Sequence, residues 1–432
     1  MKISKRKTVL QILSFPISII VLGIIGLLLM AVVYCIPASY MQKGLEESAI
    51  IIEDEGARPY MMSSESSALD NFTDALMMLT AGHDSADENA WSASMKCGRD
   101  KAEDLAPDET LVYIYKDKGK DCFNVEYPRY WHGYLLFLKP LLCFFNYGNI
   151  RYIMMFIQMG LFSVLIIKLA QKDKRLIMPV ILAWIFMNPV ATMMSLQYNT
   201  VTVITFASMI MMLVLSEKLG NNKFGGYRWN MFFLLAGAVT SFFDLLTFPI
   251  VVLGLMLLTY VGIFDRKTEK RKKLYRFLIT ILLLSCSWIF GYLGMWIMKW
   301  TIGSIITGEN IFRNAIEQLG FRTSSEWGEI RISFIEVIKR QFDMLPQRIW
   351  LIIIIVLIIF FVIYIVRYRN FKLNLLVINA LIAAYPFVWY LITKNHSFIH
   401  SFFTYRELAV VVFSLSEFVA LHKSDGRVLG TA

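Results

Sequence analysis

The chain has 432 residues, of which 57% are hydrophobic and only 18% charged. Ordinary soluble domains carry about 25% charge, and 32 Phe, 20 Tyr and 10 Trp are the reverse of a disordered composition, so both of those classes are excluded. The net charge of +10 is first a topology signal, and no nucleic-acid partner is expected.

The apolar residues fall into runs near the roughly 20-residue length that crosses a bilayer. A segment in lipid must satisfy its own backbone hydrogen bonds. The expected fold is therefore all-α, a polytopic membrane protein with about ten transmembrane helices. In chain order the spans are expected over 16–38, 150–170, 176–194, 199–216, 230–246, 248–264, 277–299, 349–366, 374–393 and 407–423. The pairs 176–194/199–216 and 230–246/248–264 also read as helical hairpins turning near Asn188-Pro189 and Phe248-Pro249. The first apolar stretch, Pro16 to Ile36, exceeds the h-region of a signal peptide and reads as an uncleaved anchor.

Orientation follows from Lys and Arg. The segments sharing the N-terminal side hold 23 of them, seven in 266–276 alone, whereas the loops at 195–198 and 245–249 hold none and 394–406 holds two. By the positive-inside rule both termini are cytoplasmic, in a plasma membrane. The organisation is then 1–38, cytoplasmic N-terminus and first helix; 39–149, a large extracytoplasmic loop with an interfacial helix; 150–299, helices two to seven; 300–348, a second extracytoplasmic loop; and 349–432, helices eight to ten and a cytoplasmic C-terminus.

Of five cysteines, Cys35, Cys143 and Cys286 lie in or near apolar runs and read as small buried hydrophobes. Cys97 and Cys122 share the first outer loop, where disulfides are permitted. A bridge between them is expected, worth about 3 kcal/mol on the chain-entropy model.

Four clusters carry the chemistry. In LDNFTDALMMLTAGHD (69–84), Asp70 and Asp74 share one helix face. They read either as a general base made more basic by partial desolvation, or as a solvated helix start with Asp70 as N-cap. Next, EYPRYWHGYLLFLKPLL (126–142) sets Arg129 and His132 among Tyr127, Tyr130, Trp131 and Tyr134. That is a substrate groove or an interfacial aromatic belt with a snorkelling Arg. The third, KNHSFIHSFFTYRE (394–407), holds Lys394, Asn395, His396, His400, Tyr405 and Arg406, with two of the five His of the chain. It suits a phosphate-binding cap better than a metal site, which lacks a third ligand. Fourth, Asp244 sits near the outer end of an apolar span, where ionisable groups are costly and often functional. Arg313, Arg322 and Arg331 in the second loop read as a solvated surface more readily than as a cover for substrate. No zinc spacing is present; a divalent cation is compatible with these residues and nothing requires one.

The layout resembles the C-type (GT-C) membrane glycosyltransferases, in the form found among bacterial cell-envelope polysaccharide proteins. Asp70-Asn71-Phe72-Thr73-Asp74-Ala75 is similar to the D-[ED]-x-x-x-A element of related protein O-mannosyltransferases and aminoarabinose transferases, with Asn71 in place of the second acid. Tyr130-Trp131-His132-Gly133-Tyr134-Leu135 resembles their aromatic-His-Pro-Pro-Leu element, with Gly133 departing from Pro. The resemblance implies transfer of a sugar from a polyprenyl-phosphate carrier to an envelope acceptor on the outer face. Asp70 or Asp74 would take the acceptor proton, Arg406, His396, His400 and Lys394 would hold the leaving phosphate, and Arg129, Tyr130 and His132 would line the groove. The alternatives are a flippase for a lipid-linked glycan and a non-catalytic assembly protein.

Overall fold

The computed structural model describes residues 5–216, 218, 226–265, 274–345, 362 and 373–423. The expected span at 349–366, Val362 apart, and most of the basic loop at 266–276 lie outside the described residues. What is described is almost wholly helical, with two short antiparallel ribbons. Among the described residues, five helical stretches are long and apolar enough to cross a membrane: Thr8–Tyr34, Tyr147–Lys172, Leu196–Leu215, Leu274–Thr307 and Leu373–Ile392; Pro249–Phe264 is a shorter apolar helix.

Helix α1 (Lys5–Tyr34) carries Pro16 inside it and ends where Pro37 removes a backbone donor. The chain then builds a cap from α2 (Gln42–Glu55), α3 (Asn71–Gly82), α4 (Ala90–Lys96), β1 (Arg99–Ala102), α5 (Pro107–Tyr115), β2 (Cys122–Val125) and α6 (Leu135–Leu142). Leu45, Ile52, Met78, Leu79, Leu111 and Leu138 close its core, which is continuous with Met30 and Val33 of α1. The interfacial helix expected in the first loop is only α6, because 130–134 forms an irregular turn with His132 at φ 56°.

The Cys97–Cys122 bridge is not formed; both thiols are free. The reason is register. Ala102 pairs with Cys122 and Arg99 with Val125, so Cys97 lies beyond the opposite end of the ladder. At about 3.3 Å per strand residue the two are well outside the roughly 7 Å Cα separation that a disulfide spans. Cys97 is instead buried, its Sγ donating to the Ser94 carbonyl at 3.1 Å.

After α7 (Tyr147–Lys172) comes a broken pair, α8 (Ile177–Phe186) and α9 (Pro189–Met194), followed by α10 (Leu196–Leu215). The break falls at Asn188-Pro189 as the sequence predicts. Asn188 takes φ 60°, its Oδ1 accepts from Ala191 N at 3.4 Å, and Pro189 occupies the first helical position. Likewise α11 (Tyr227–Phe243) and α12 (Pro249–Asp265) are separated by a turn at 244–248. Against α11 runs α13 (Leu274–Thr307), longer than the expected 277–299. A Cβ on Gly237 would meet the Trp288 carbonyl at 2.0 Å, and one on Gly291 the Leu234 carbonyl at 2.0 Å. These two backbones touch, as helices with small residues at their contact do.

The second connecting segment holds α14 (Ile311–Thr323), β3 (Glu326–Trp327), β4 (Ile330–Arg331) and α15 (Phe334–Asp343). It packs on the short helices α18 (Lys394–Ile399) and α19 (Ser401–Thr404), which follow α16 (Leu373–Ala383) and α17 (Tyr385–Ile392) and precede α20 (Ala409–Lys423). Gln341 fixes the contact: its Nε2 donates to the Ser397 carbonyl at 2.7 Å and its Oε1 accepts from Thr404 Oγ1 at 2.9 Å.

Candidate functional site

Two carboxylates lie at the start of a helix that is not their own. Asp70 begins α3, its Oδ1 accepting from Thr73 N at 3.2 Å, and Asp74 falls on the same face. Both are fully buried. Asp74 accepts from the Tyr147 hydroxyl at 2.6 Å, Leu196 N at 2.9 Å, Ser195 Oγ at 3.3 Å and Gln197 N at 3.4 Å. It thus caps α10, where an anion is favoured by the helix dipole. Gln197 Nε2 donates to Asp70. Burial pushes the Asp74 carboxyl up to about 6 against the hydrogen bonds from Tyr147 and Leu196. It also raises Asp70, opposed first by Thr73 and then by the charges of Arg58 and Arg406. The N-cap reading of Asp70 holds; the solvated helix start does not.

Behind them, Arg151 Nη2 donates to Asn71 Oδ1 at 2.6 Å and to the Tyr147 hydroxyl at 2.7 Å, and Nη1 reaches both Glu55 oxygens at 2.8 and 2.9 Å. Asn71 therefore serves as an acceptor for a buried cation.

Arg406 lies within electrostatic reach of Asp70, but not as an open anion site. It is fully buried. Its Nε donates to the Met187 carbonyl at 2.8 Å, Nη1 to Phe402 at 3.0 Å and Nη2 to Ser66 at 3.1 Å, and it stacks on the Tyr198 ring at 4.3 Å. The Tyr405 hydroxyl donates to the same Ser66 carbonyl at 3.1 Å. These residues pin the 3-10 turn at Glu65–Ser67, just before Asp70, to the turn before α20. Lys394 and Asn395 are likewise committed to the second segment: Lys394 Nζ donates to Ser325 Oγ at 3.0 Å and Asn395 Nδ2 to the Glu326 carbonyl at 2.6 Å.

A half-buried cation at this end is one that the sequence more readily assigns to a solvated surface. Arg322 Nη1 donates to His396 Nδ1 at 2.9 Å and to His400 Nε2 at 2.7 Å. His396 Nε2 in turn donates to the Leu246 carbonyl at 2.8 Å, and Leu246 itself stands at φ 67°. Both imidazoles are held neutral. Burial, then the Arg322 and Arg58 charges, push His400 down to about 3. Burial, then His400 and Arg322, lower His396.

Arg322 faces Arg129 across a cavity of about 30 Å³ that is also lined by Tyr130, Trp296, Trp300 and Gln318, room for about two waters. The Arg129 guanidinium lies 4.1 Å over the Tyr127 ring, and Trp300 Nε1 donates to the Arg129 carbonyl at 2.9 Å. The Nε atoms of both arginines and the Trp296 Nε1 are buried with no partner. Two anchored guanidiniums with unpartnered donors and an aromatic wall are suited to an anionic group joined to a ring.

Trp131 and His132 do not line this groove. Trp131 is fully buried, its Nε1 donating to the Met295 carbonyl at 2.6 Å. His132 Nε2 donates to the Tyr127 carbonyl at 2.9 Å and its Nδ1 accepts from the Tyr134 hydroxyl at 2.9 Å; burial, then the Lys299 charge, push it down to about 3. Both form the packed floor beneath the 127–130 turn. Asp244 is buried at the end of α11, its Oδ1 accepting from Thr247 N at 2.9 Å, and it lies within electrostatic reach of Tyr130.

Arg151, Glu55 and Glu407 are not singled out by the sequence, and Arg322 is singled out there only as a cover for substrate ranked below a solvated surface. Arg151 carries a usable signal, a cation inside an expected span at 150–170. Among the described residues no group of three or more His, Cys, Asp or Glu is placed to hold a metal. No protein-family model, curated protein or solved structure matches the chain.

Proposed function

We propose that the chain is a membrane glycosyltransferase moving a sugar from a polyprenyl-phosphate donor to a cell-envelope acceptor on the extracytoplasmic face of the plasma membrane. The observation that carries this reading is the arginine-and-aromatic cavity between Arg129 and Arg322, formed where four sequence-distant segments meet. The cavity has room for about two waters as it stands, so donor entry requires Arg129 and Arg322 to part; the donor phosphate then pairs with the two guanidiniums, and Tyr130, Trp296 and Trp300 cover the sugar. As the acceptor oxygen attacks the anomeric carbon, the bond to the phosphate oxygen breaks and its electron pair leaves with the phosphate. Cations fixed in a low-dielectric site stabilise that growing charge. Asp70, whose burial favours protonation, accepts the proton lost by the acceptor hydroxyl. Gln197 covers its carboxylate and Ser195 Oγ accepts from its backbone N in this conformation, so acceptor entry requires the 64–70 segment to shift.

Transfer from a polyprenyl-phosphate sugar by detergent-purified protein tests this. Arg322→Ala, Arg129→Ala and Asp70→Asn are each expected to lower kcat by about 100-fold or more, the usual cost of losing one stabilising group; Asp74→Asn and Arg406→Ala act through folding and lower the yield of active protein. Wild-type activity in all three of the first set sinks the reading. A flippase is the second reading, favoured by the helix breaks at Asn188 and Ala384, since interrupted helices mark transporter sites. Movement of the lipid across vesicles without glycoside formation would establish it.

A further inference from the structure

The cap core adjoins Met30 and Val33, at the end of α1. At the other end of that helix lies a crevice that the transfer chemistry does not use. It is formed by α1, α11 and α13, and its volume is about 670 Å³, within the roughly 300–1,000 Å³ of ligand clefts. Toward the start of α1 its lining is polar, with Thr8, Gln11 and Tyr227. The Tyr227 hydroxyl donates to Ser14 Oγ at 2.8 Å, which donates to the Gln11 carbonyl at 2.7 Å, so α11 is fastened to α1 along that wall. Farther along α1 the lining is apolar, with Ile12, Phe15 and Phe290. The Phe15 ring lies 6.4 Å from Phe290 and 6.2 Å from Tyr227. Past Pro16 the helices close up: a Cβ on Gly294 would meet Ile19 at 3.0 Å, and one on Gly23 would meet Met298 at 2.9 Å. The crevice is therefore a cleft with a closed inner end, and it opens sideways, Ile12 being 65% and Phe290 44% exposed.

Charge selects the occupant. None of the three helices contains an acidic residue. Helix α1 opens with Lys5-Arg6-Lys7 directly ahead of Thr8, and the exposed Arg228 follows Tyr227. An apolar cleft in the flank of a membrane-crossing helix takes up hydrocarbon rather than water, since apolar surface is costly to hydrate. Four basic residues at its mouth favour a negatively charged lipid, each worth about 1 kcal/mol at a membrane surface. A second copy of the chain docked side by side would set the same basic turn against itself, and like charges across an interface are costly. We propose that the crevice binds one anionic phospholipid, with an acyl chain along Ile12, Phe15 and Phe290 and the phosphate at the basic starts of α1 and α11. The site stands whether or not the chain transfers sugar.

The test uses full-length, delipidated protein in detergent, titrated with phosphatidylglycerol or with a phosphatidylcholine of identical chains, the bound lipid being counted by native mass spectrometry. Wild type is expected to hold one phosphatidylglycerol at least about tenfold more tightly than phosphatidylcholine, the combined pull of several basic residues. Arg228→Gln is expected to weaken phosphatidylglycerol about fivefold, the worth of one such residue, and to leave phosphatidylcholine unchanged. Ile12→Trp, which fills the cleft, is expected to weaken both lipids at least about tenfold, whereas Lys43→Gln, at an exposed position on α2, changes neither. Should Ile12→Trp fail to fold, Thr8→Glu sets an acid at the mouth, where a helix start tolerates it, and is expected to weaken phosphatidylglycerol alone. Equal affinity for the two lipids, or phosphatidylglycerol binding unmoved by Ile12→Trp, Arg228→Gln or Thr8→Glu, overturns the site. A dimer cross-linked through Ile12→Cys in a Cys-free background, formed with or without lipid, overturns it in favour of a second copy. Displacement of phosphatidylglycerol by an equal concentration of polyprenyl phosphate overturns it in favour of the sugar carrier.

Discussion

At the scale of single residues, charges in this molecule are governed by what buries them. Asp74 shows the sign. Its carboxyl, 3.8 in a free chain, titrates at about 6 when folded, so the folded state holds the extra proton between those values. The contribution of Asp74 to stability is therefore greatest below about pH 4 and falls as pH rises to 6, by about 3 kcal/mol at roughly 1.4 kcal/mol per unit. Asp74→Asn is expected to flatten the dependence of melting temperature on pH across that window; an unchanged slope would show that another group sets it. Arg322 acts in the opposite sense on the imidazoles it holds. Arg322→Ala is expected to raise the pKa of His400, followed by its ring resonances in nuclear magnetic resonance, though burial keeps it below a free histidine. The thiols offer a third check. Cys97 and Cys122 are expected to be alkylated in denatured protein to the same extent with and without prior reductant, and protection of both without reductant would restore the bridge.

At the scale of elements, apolar length and proline position made the helices legible. The runs that became α1, α7, α10 and α13 are too long and too apolar for anything else, and the interruptions fall where Pro189 and Pro249 stand at first helical positions. Asn188 sets the first break through a left-handed backbone and a side-chain cap together. Asn188→Ala, which loses both advantages, is expected to lower stability by about 1 kcal/mol or more, and Asn188→Gly by less, read as melting temperature in detergent. Gly291→Val, which sets a branched side chain against the Leu234 carbonyl, is expected to cost more than 1–3 kcal/mol of overpacking and to cut the yield of monodisperse protein. Partner choice was not legible. Arg322 meets histidines 74 and 78 positions away, a pairing decided by how α14 lies across α18, and no local pattern encodes that angle. The disulfide expectation failed for the same reason, since spacing in sequence says nothing of which end of a ribbon a cysteine occupies. The acidic pair on α3 was visible by its i, i+4 spacing, but its role as the cap of α10 depends on residues more than a hundred positions later.

At the scale of the whole molecule, the cap, the 311–343 segment and the turn before α20 gather at one end of the bundle, and the proposed transfer site requires that end to face outward. Single cysteines in a Cys-free background test this: Ser85→Cys is expected to react with a membrane-impermeant maleimide on intact cells, and Lys174→Cys only after lysis. The reverse pattern would turn the protein over and remove the proposed acceptor. The attachment of Asp74 to Ser195, Leu196 and Gln197, 121 to 123 positions downstream, reaches into biogenesis. During synthesis the first large loop leaves the translocation machinery well before α10 is made, so α3 waits with its acids unclaimed while α7 to α9 are inserted. The loop has no native resting place until that later helix emerges. Nascent chains arrested ahead of residue 195 should therefore remain open to protease in this region, and those arrested after α10 should close.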